Sequence, residues 1–109
     1  MQTDRVIGYL DDLLLRRRGV RGGNMFGHPA YYVNDKLFAC VYGQAVGLKV
    51  PETFASELIG NGRAVSFQPY GKRKMREWIQ LSAKQVLSGD EHNTIRAALK
   101  FVGTLKSLD

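Results

Sequence analysis

Two dipeptides nine positions apart, Asn34-Asp35 and Gly43-Gln44, restrict the fold of this chain more than any other feature. A type I′ hairpin turn needs positive φ at both central residues, which Asn and Asp tolerate, and a type II′ turn needs glycine at the first. The flanking segments 29–33, 36–42 and 45–50 alternate in polarity, so the spacing predicts a three-stranded antiparallel meander. Counting outward from the turns sets the register. Phe38 falls opposite Tyr31 and Lys49, and Cys40 falls opposite Pro29 and Gly47. One face then carries Tyr31, Phe38, Cys40 and Tyr42. The other carries Ala30, Tyr32, Leu37, Ala39, Val41, Val46 and Leu48, and its more aliphatic character assigns it to the core beneath the helices.

Before the meander, Val6, Ile7, Leu10, Leu13 and Leu14 recur at helical spacing, with Thr3 or Asp4 placed to cap and Gly19 placed to stop the helix. After it, Pro51 suits the first turn of a short helix whose apolar residues are Phe54, Leu58 and Ile59. Residues 64–68 and 77–82 read as two further strands around the irregular stretch "PYGKRKMRE", with Trp78 and Gln80 on one side and Ile79 and Leu81 on the other. Ser88 to Glu91 has the form of a capping box, and Ile95, Ala98, Leu99, Val102 and Leu105 continue at helical spacing toward the end. The expected fold class is α+β: helix, three strands, helix, two strands, helix, with the helices packed on a largely antiparallel sheet. At 109 residues and 44% hydrophobic content the chain supports one core, hence one domain over 1–109.

No run of about 18 apolar residues is present. The opening Met-Gln-Thr-Asp-Arg lacks the order of a signal peptide, and a single cysteine allows no internal disulfide, so a cytoplasmic location without membrane contact is expected. The formal charge of +6 favours polyanions in general. Its clustering is more specific: Arg16, Arg17, Arg18 and Arg21 form one group, and Lys72, Arg73, Lys74 and Arg76 another. Part of the first group has a structural reason, since cations favour helix C-termini.

The catalytic readings are thin. A nucleophilic cysteine needs a depressed pKa from a histidine, a cation or a helix N-terminus, and Cys40 sits mid-strand between Phe38 and Tyr42. His28 lies near its level, but no third orienting group suggests itself. One cysteine and two histidines match no metal-ligand spacing. The string "SFQPYGKR" ends like a phosphate-binding loop, yet Ser66 stands where its first glycine belongs and Arg73 where Ser or Thr belongs. Asp11-Asp12 and Asp90-Glu91 are explained by solvation and capping. The remaining candidate is the face with Tyr31, Phe38 and Tyr42, suited to burial against a protein partner or to stacking of unpaired bases.

The segment "NMFGHPAYYVNDKLFACVYGQAVGLKV", followed by Pro51-Glu52, Phe67-x-Pro69-Tyr70-Gly71 and Trp78-x-x-Leu81, resembles the N-terminal domain of the TfoX/Sxy competence regulators. The likeness runs from the opening helix to the final one, and its most specific pieces are Met25-Phe26-Gly27, Phe38-Ala39 and the segment from Pro69 to Trp78. It implies a small α+β domain without cofactor or catalysis, from bacterial proteins linked to DNA uptake and to transcription assisted by the cyclic-AMP receptor protein. Full-length regulators of that family carry a second, C-terminal helical domain, and the resemblance here is to the N-terminal domain standing alone. Physics gives Met25 and Phe26 a plainer role as core anchors and Gly27 one as a bend before Pro29.

The expected function is therefore that of a non-enzymatic, TfoX-like domain acting through protein contacts, as a homodimer or with another protein, in competence or transcription regulation. The alternative is direct, non-specific nucleic-acid binding, to DNA or RNA, through the two basic clusters. An enzyme using Cys40 and His28 ranks third.

Overall fold

The computed structural model describes residues 2–68 and 76–105, the side chain of Gln2 excepted. The chain is α+β, with four helices packed on a six-stranded antiparallel sheet. Helix α1 (Gln2–Leu14) leads into strands β1 (Val20–Met25), β2 (His28–Val33), β3 (Lys36–Tyr42) and β4 (Ala45–Lys49). Helix α2 (Glu52–Gly60), strands β5 (Val65–Ser66) and β6 (Trp78–Ser82), and helices α3 (Ala83–Leu87) and α4 (His92–Gly103) complete it. The strand order is β1-β2-β3-β4-β6-β5.

Both turn dipeptides behave as their chemistry requires. Asn34 and Asp35 have φ of 52° and 65°, the type I′ signature, and Gly43 has φ of 62° where type II′ needs it. A third hairpin of the same size, which the sequence reading missed together with β1 itself, closes at Phe26-Gly27, with φ of 50° and 82°. Strand β1 is Val-Arg-Gly-Gly-Asn-Met, with too few apolar side chains to alternate, and its pairing with β2 defines it instead.

The predicted register holds between β3 and β4, where Cys40 pairs with Gly47, and between β2 and β3 it holds only beside the turn. Val33 pairs with Lys36 and Tyr32 with Leu37, but Tyr31 pairs with Ala39 and Ala30 with Cys40. Phe38 is thus the extra residue of a β-bulge, and beyond it every β2 side chain shares a face with a β3 partner one position later than expected. Tyr31 and Phe38, expected on an exposed aromatic face with Tyr42, are 2% and 0% exposed and lie in the main core under the helices. Ala30, Tyr32 and Leu37, assigned to that core from sequence, belong to the opposite face instead. Burying the Phe38 ring stabilises the fold by about 2–3 kcal/mol, which favours the bulge. The Tyr31 hydroxyl donates to Asp11 Oδ1 of α1 at 2.7 Å, so its polar end is satisfied too.

Ala39, Val41, Val46 and Leu48 face the helices as expected, and so do Ile79 and Leu81 of β6. Val6, Leu10 and Leu14 of α1, Ala55 and Leu58 of α2, Ala83 and Val86 of α3, and Ile95, Ala98 and Val102 of α4 seal this side. The first two helices occupy their expected places. The third does not run alone, because Ser82 and Gln85 form a capping box that starts the short α3 at the end of β6. The box expected at Ser88 to Glu91 does not form. The Ser88 hydroxyl donates to the Gln85 carbonyl and accepts from the Asp90 N–H, while the Glu91 carboxylate turns inward. Helix α4 ends at Gly103, and Leu105 is 37% exposed beyond it.

Candidate functional site

All four helices pack on one face of the sheet, and among the described residues only Phe67, in the chain after β5, covers the other. Alternation on each strand places His28, Ala30 and Tyr32 of β2, Cys40 and Tyr42 of β3, Gly47 and Lys49 of β4, and Trp78 and Gln80 of β6 on that second face. The Phe67 ring lies directly over Gly47. A Cβ at Gly47 would stand 2.9 Å from Phe67 Cζ and 3.1 Å from Cys40 Sγ, so a bare backbone there is what lets the ring down onto the sheet. Around Phe67 the rings run in a chain: Trp78 at 5.6 Å, Tyr42 at 6.1 Å and edge-on, then His28 at 4.9 Å from Tyr42. At the margin, the Arg21 guanidinium lies 4.6 Å above the Tyr32 ring.

An aromatic sheet face with cations beside it therefore exists, but its members are His28, Tyr32, Tyr42 and Trp78 around Phe67. Of the predicted trio only Tyr42 belongs to it. The signal for the right set lay in Phe67, because an apolar ring five residues past a glycine turn and opposite a strand glycine has few other places to go. At one corner the β1–β2 hairpin presents Phe26, 82% exposed and held at φ of 50°, a left-handed conformation that costs a bulky side chain roughly 1 kcal/mol. Its place at a turn tip, not in the core, overturns the anchor role expected for it. Gly27, at φ of 82°, does make the bend.

Cys40 is fully buried under Phe67, and burial pushes its thiol pKa up to about 11, with the Gly47 N–H opposing the shift. The direction is the reverse of what a nucleophile needs. His28 packs its ring on Tyr42. Among the described residues no group of three His, Cys, Asp or Glu side chains is placed to hold a metal ion.

The basic residues separate. Arg21 goes to the second face, where it also approaches Asp35 at 3.5 Å. Arg17 and Arg18 lie on the turn after α1 and line clefts along α4, with Arg96 and Lys100 opposite. Arg16 is exposed on the same turn. Arg76 reaches toward Glu52 at 3.9 Å, and Lys72, Arg73 and Lys74 lie outside the described residues, as do Pro69, Tyr70 and Gly71.

Among the described residues one charged group is buried. The Glu91 carboxylate accepts from Arg63 Nη2 at 3.0 Å and from the Thr94 hydroxyl at 2.9 Å, while Gln85 Nε2 donates to the Arg63 carbonyl at 2.7 Å. This network ties the segment after α2 to α3 and α4. Every partner is internal, which makes it a structural clasp.

No helix among the described residues is long and apolar enough to cross a membrane. No family model matches the chain, and no curated protein matches it.

Proposed function

We propose that this chain is a non-enzymatic, TfoX-like N-terminal domain that works through protein contacts made by the second face of its sheet, in competence or transcription regulation. The observation that carries the reading is the contrast between the faces: four helices bury one, while among the described residues a single ring covers an aromatic cluster on the other. Half-buried aromatic side chains beside cations are the composition of protein-binding surfaces, where Tyr, Trp and Arg supply most of the binding energy. Phe26, exposed in a strained turn at the corner of the same face, extends that surface. The regulatory part of the proposal rests on the resemblance, whose Met25-Phe26-Gly27 and Trp78 pieces fall at this face and its rim. The raised thiol pKa argues against Cys40 as a nucleophile.

Sedimentation across a wide concentration range, with a pull-down from a bacterial lysate, tests it. The expected result is reversible self-association or a retained protein that is lost in the Phe26→Asn and Tyr42→Ser variants. A monomer at every concentration with nothing retained, or association unchanged by both substitutions, overturns it.

A further inference from the structure

The side of the molecule away from the aromatic cluster carries a second feature. Two clefts, one lined by Arg17, Asn93, Arg96 and Lys100 and the other by Arg17, Arg18, Asn34 and Lys100, share Arg17, Leu99 and Lys100 and so form one trough. The larger part measures about 540 Å³. We propose that this trough is a binding site for the phosphodiester backbone of a nucleic acid, read without regard to sequence.

Four observations carry it. The lining holds four cations from two separate elements and no acidic residue. None of the Arg17, Arg18, Arg96 and Lys100 side chains forms an ion pair or hydrogen bond with a described residue, whereas Arg21, Arg63 and Arg76 each lie within 4 Å of a carboxylate. Among the described residues nothing neutralises their charge, which leaves it available to an anion.

The backbone beneath is fixed. Asn34 donates its N–H to the Gly19 carbonyl at 3.1 Å and its side-chain amide to the Gly103 carbonyl at 3.3 Å, which clamps the arginine turn against α4. Gly19, at φ of 80°, holds a conformation that favours glycine, and a Cβ there would also press on Asn34 Oδ1 at 2.8 Å. The same contacts answer an electrostatic objection, because the C-terminus of a helix ordinarily repels anions. Here the Gly103 and Leu105 carbonyls are taken up by Asn34 and Lys36, and the Lys100, Phe101 and Val102 carbonyls by backbone N–H groups.

The shape selects among anions. Arg96 and Lys100 lie one turn apart, about 6 Å along the helix axis, so they meet successive charges on a chain more readily than one small phosphate. Among the described residues no glycine-rich loop lines the trough to cradle a single phosphate. The cations follow one another along a helix flank and the turn beside it, a line that a phosphodiester strand can track from charge to charge. The side chains come from a helix flank and a turn, with no base-reading element, so contacts of this kind position without specifying.

The test is fluorescence anisotropy of the full chain with labelled random-sequence single-stranded and duplex DNA between about 50 and 200 mM salt. Wild type is expected to bind with a steep salt dependence. Combining Arg17→Gln, Arg96→Gln and Lys100→Gln should weaken binding at low salt by about tenfold or more and flatten the log–log salt slope by about 2–3. A charge-matched control with Arg5→Gln, Arg76→Gln and Lys84→Gln should lose much less. Circular dichroism melting checks that both triple variants remain folded, which their exposed positions favour. Absence of binding at low salt, equal losses in the two triple variants, or trough-dependent binding to phosphatidylserine vesicles without DNA binding overturns the proposal.

Discussion

The two faces of the sheet use the same strands and reach opposite solutions. On the first, Phe38, Ala39, Val41, Val46, Leu48, Ile79 and Leu81 meet apolar stripes from four helices, and burial there is continuous. On the second, among the described residues, Ala30 and Cys40 lie under one covering ring, Phe67, which needs the missing side chain of Gly47 to seat. A core supported by many elements loses little of its architecture when one side chain is trimmed. A core supported by one ring opens when that ring is removed. The first face is therefore where stability resides, and the second is where a modest change alters what the molecule presents to its surroundings.

The sharpest test of that contrast pairs two truncations. Phe38→Ala should cost about 3–5 kcal/mol in urea unfolding, the usual range for a buried ring, and leave Cys40 as protected from thiol reagents as in wild type while the fold persists. Phe67→Ala should cost less, about 2–4 kcal/mol, yet accelerate native-state labelling of Cys40 by a large factor. Equal protection of Cys40 in both variants would break the comparison. Next in size, Gly47→Ala should lose about 1–3 kcal/mol by lifting the Phe67 ring, and adding Phe67→Leu should restore part of the loss.

Titration separates the faces differently. Cys40 on the second face and Tyr31 on the first both have folded pKa values raised by burial, Tyr31 also by its bond to Asp11 and that carboxylate's charge. The protonated forms are favoured in the folded state, so this stability is fully present below the unfolded pKa values and is lost as pH rises through the folded ones. Unfolding free energy should thus be flat near neutrality and fall above about pH 9. Native thiolate absorbance should grow in near pH 11 in wild type, and at lower pH in Phe67→Ala. The smallest effect is expected at the rim. Phe26→Asn, placing a residue suited to positive φ, should raise stability by about 0.5–1 kcal/mol, and a loss instead would mean that Phe26 contributes to the fold more than its exposure suggests.

Much of the secondary structure was legible because its signals are local. The α1 stripe, the two turn dipeptides and the apolar residues of α4 each fix a conformation within a few residues. Two further local signals mark elements beyond these: Phe26-Gly27 has glycine at the second turn position, and Ser82-Ala-Lys-Gln85 has the capping-box pattern. The Ser88 to Glu91 string carried that same pattern and misled, because Arg63, 28 positions away, takes the Glu91 carboxylate. The candidate site was legible in kind but not in membership. An aromatic face near basic residues could be anticipated from composition and alternation, while Tyr31 and Phe38 could not be moved off it without knowing of the bulge.

By itself, the sequence determined what depends on neighbours along the chain: which dipeptides turn, which stripes become helices, and that no pair of cysteines could staple the fold. Tertiary structure decided which side of the sheet each residue faces, because a strand repeats every two residues and one inserted position at Phe38 exchanges inside for outside. It also decided that Arg17 and Arg18 would stand beside Arg96 and Lys100, about 80 positions away, since charge carries no local instruction about which distant element it will meet.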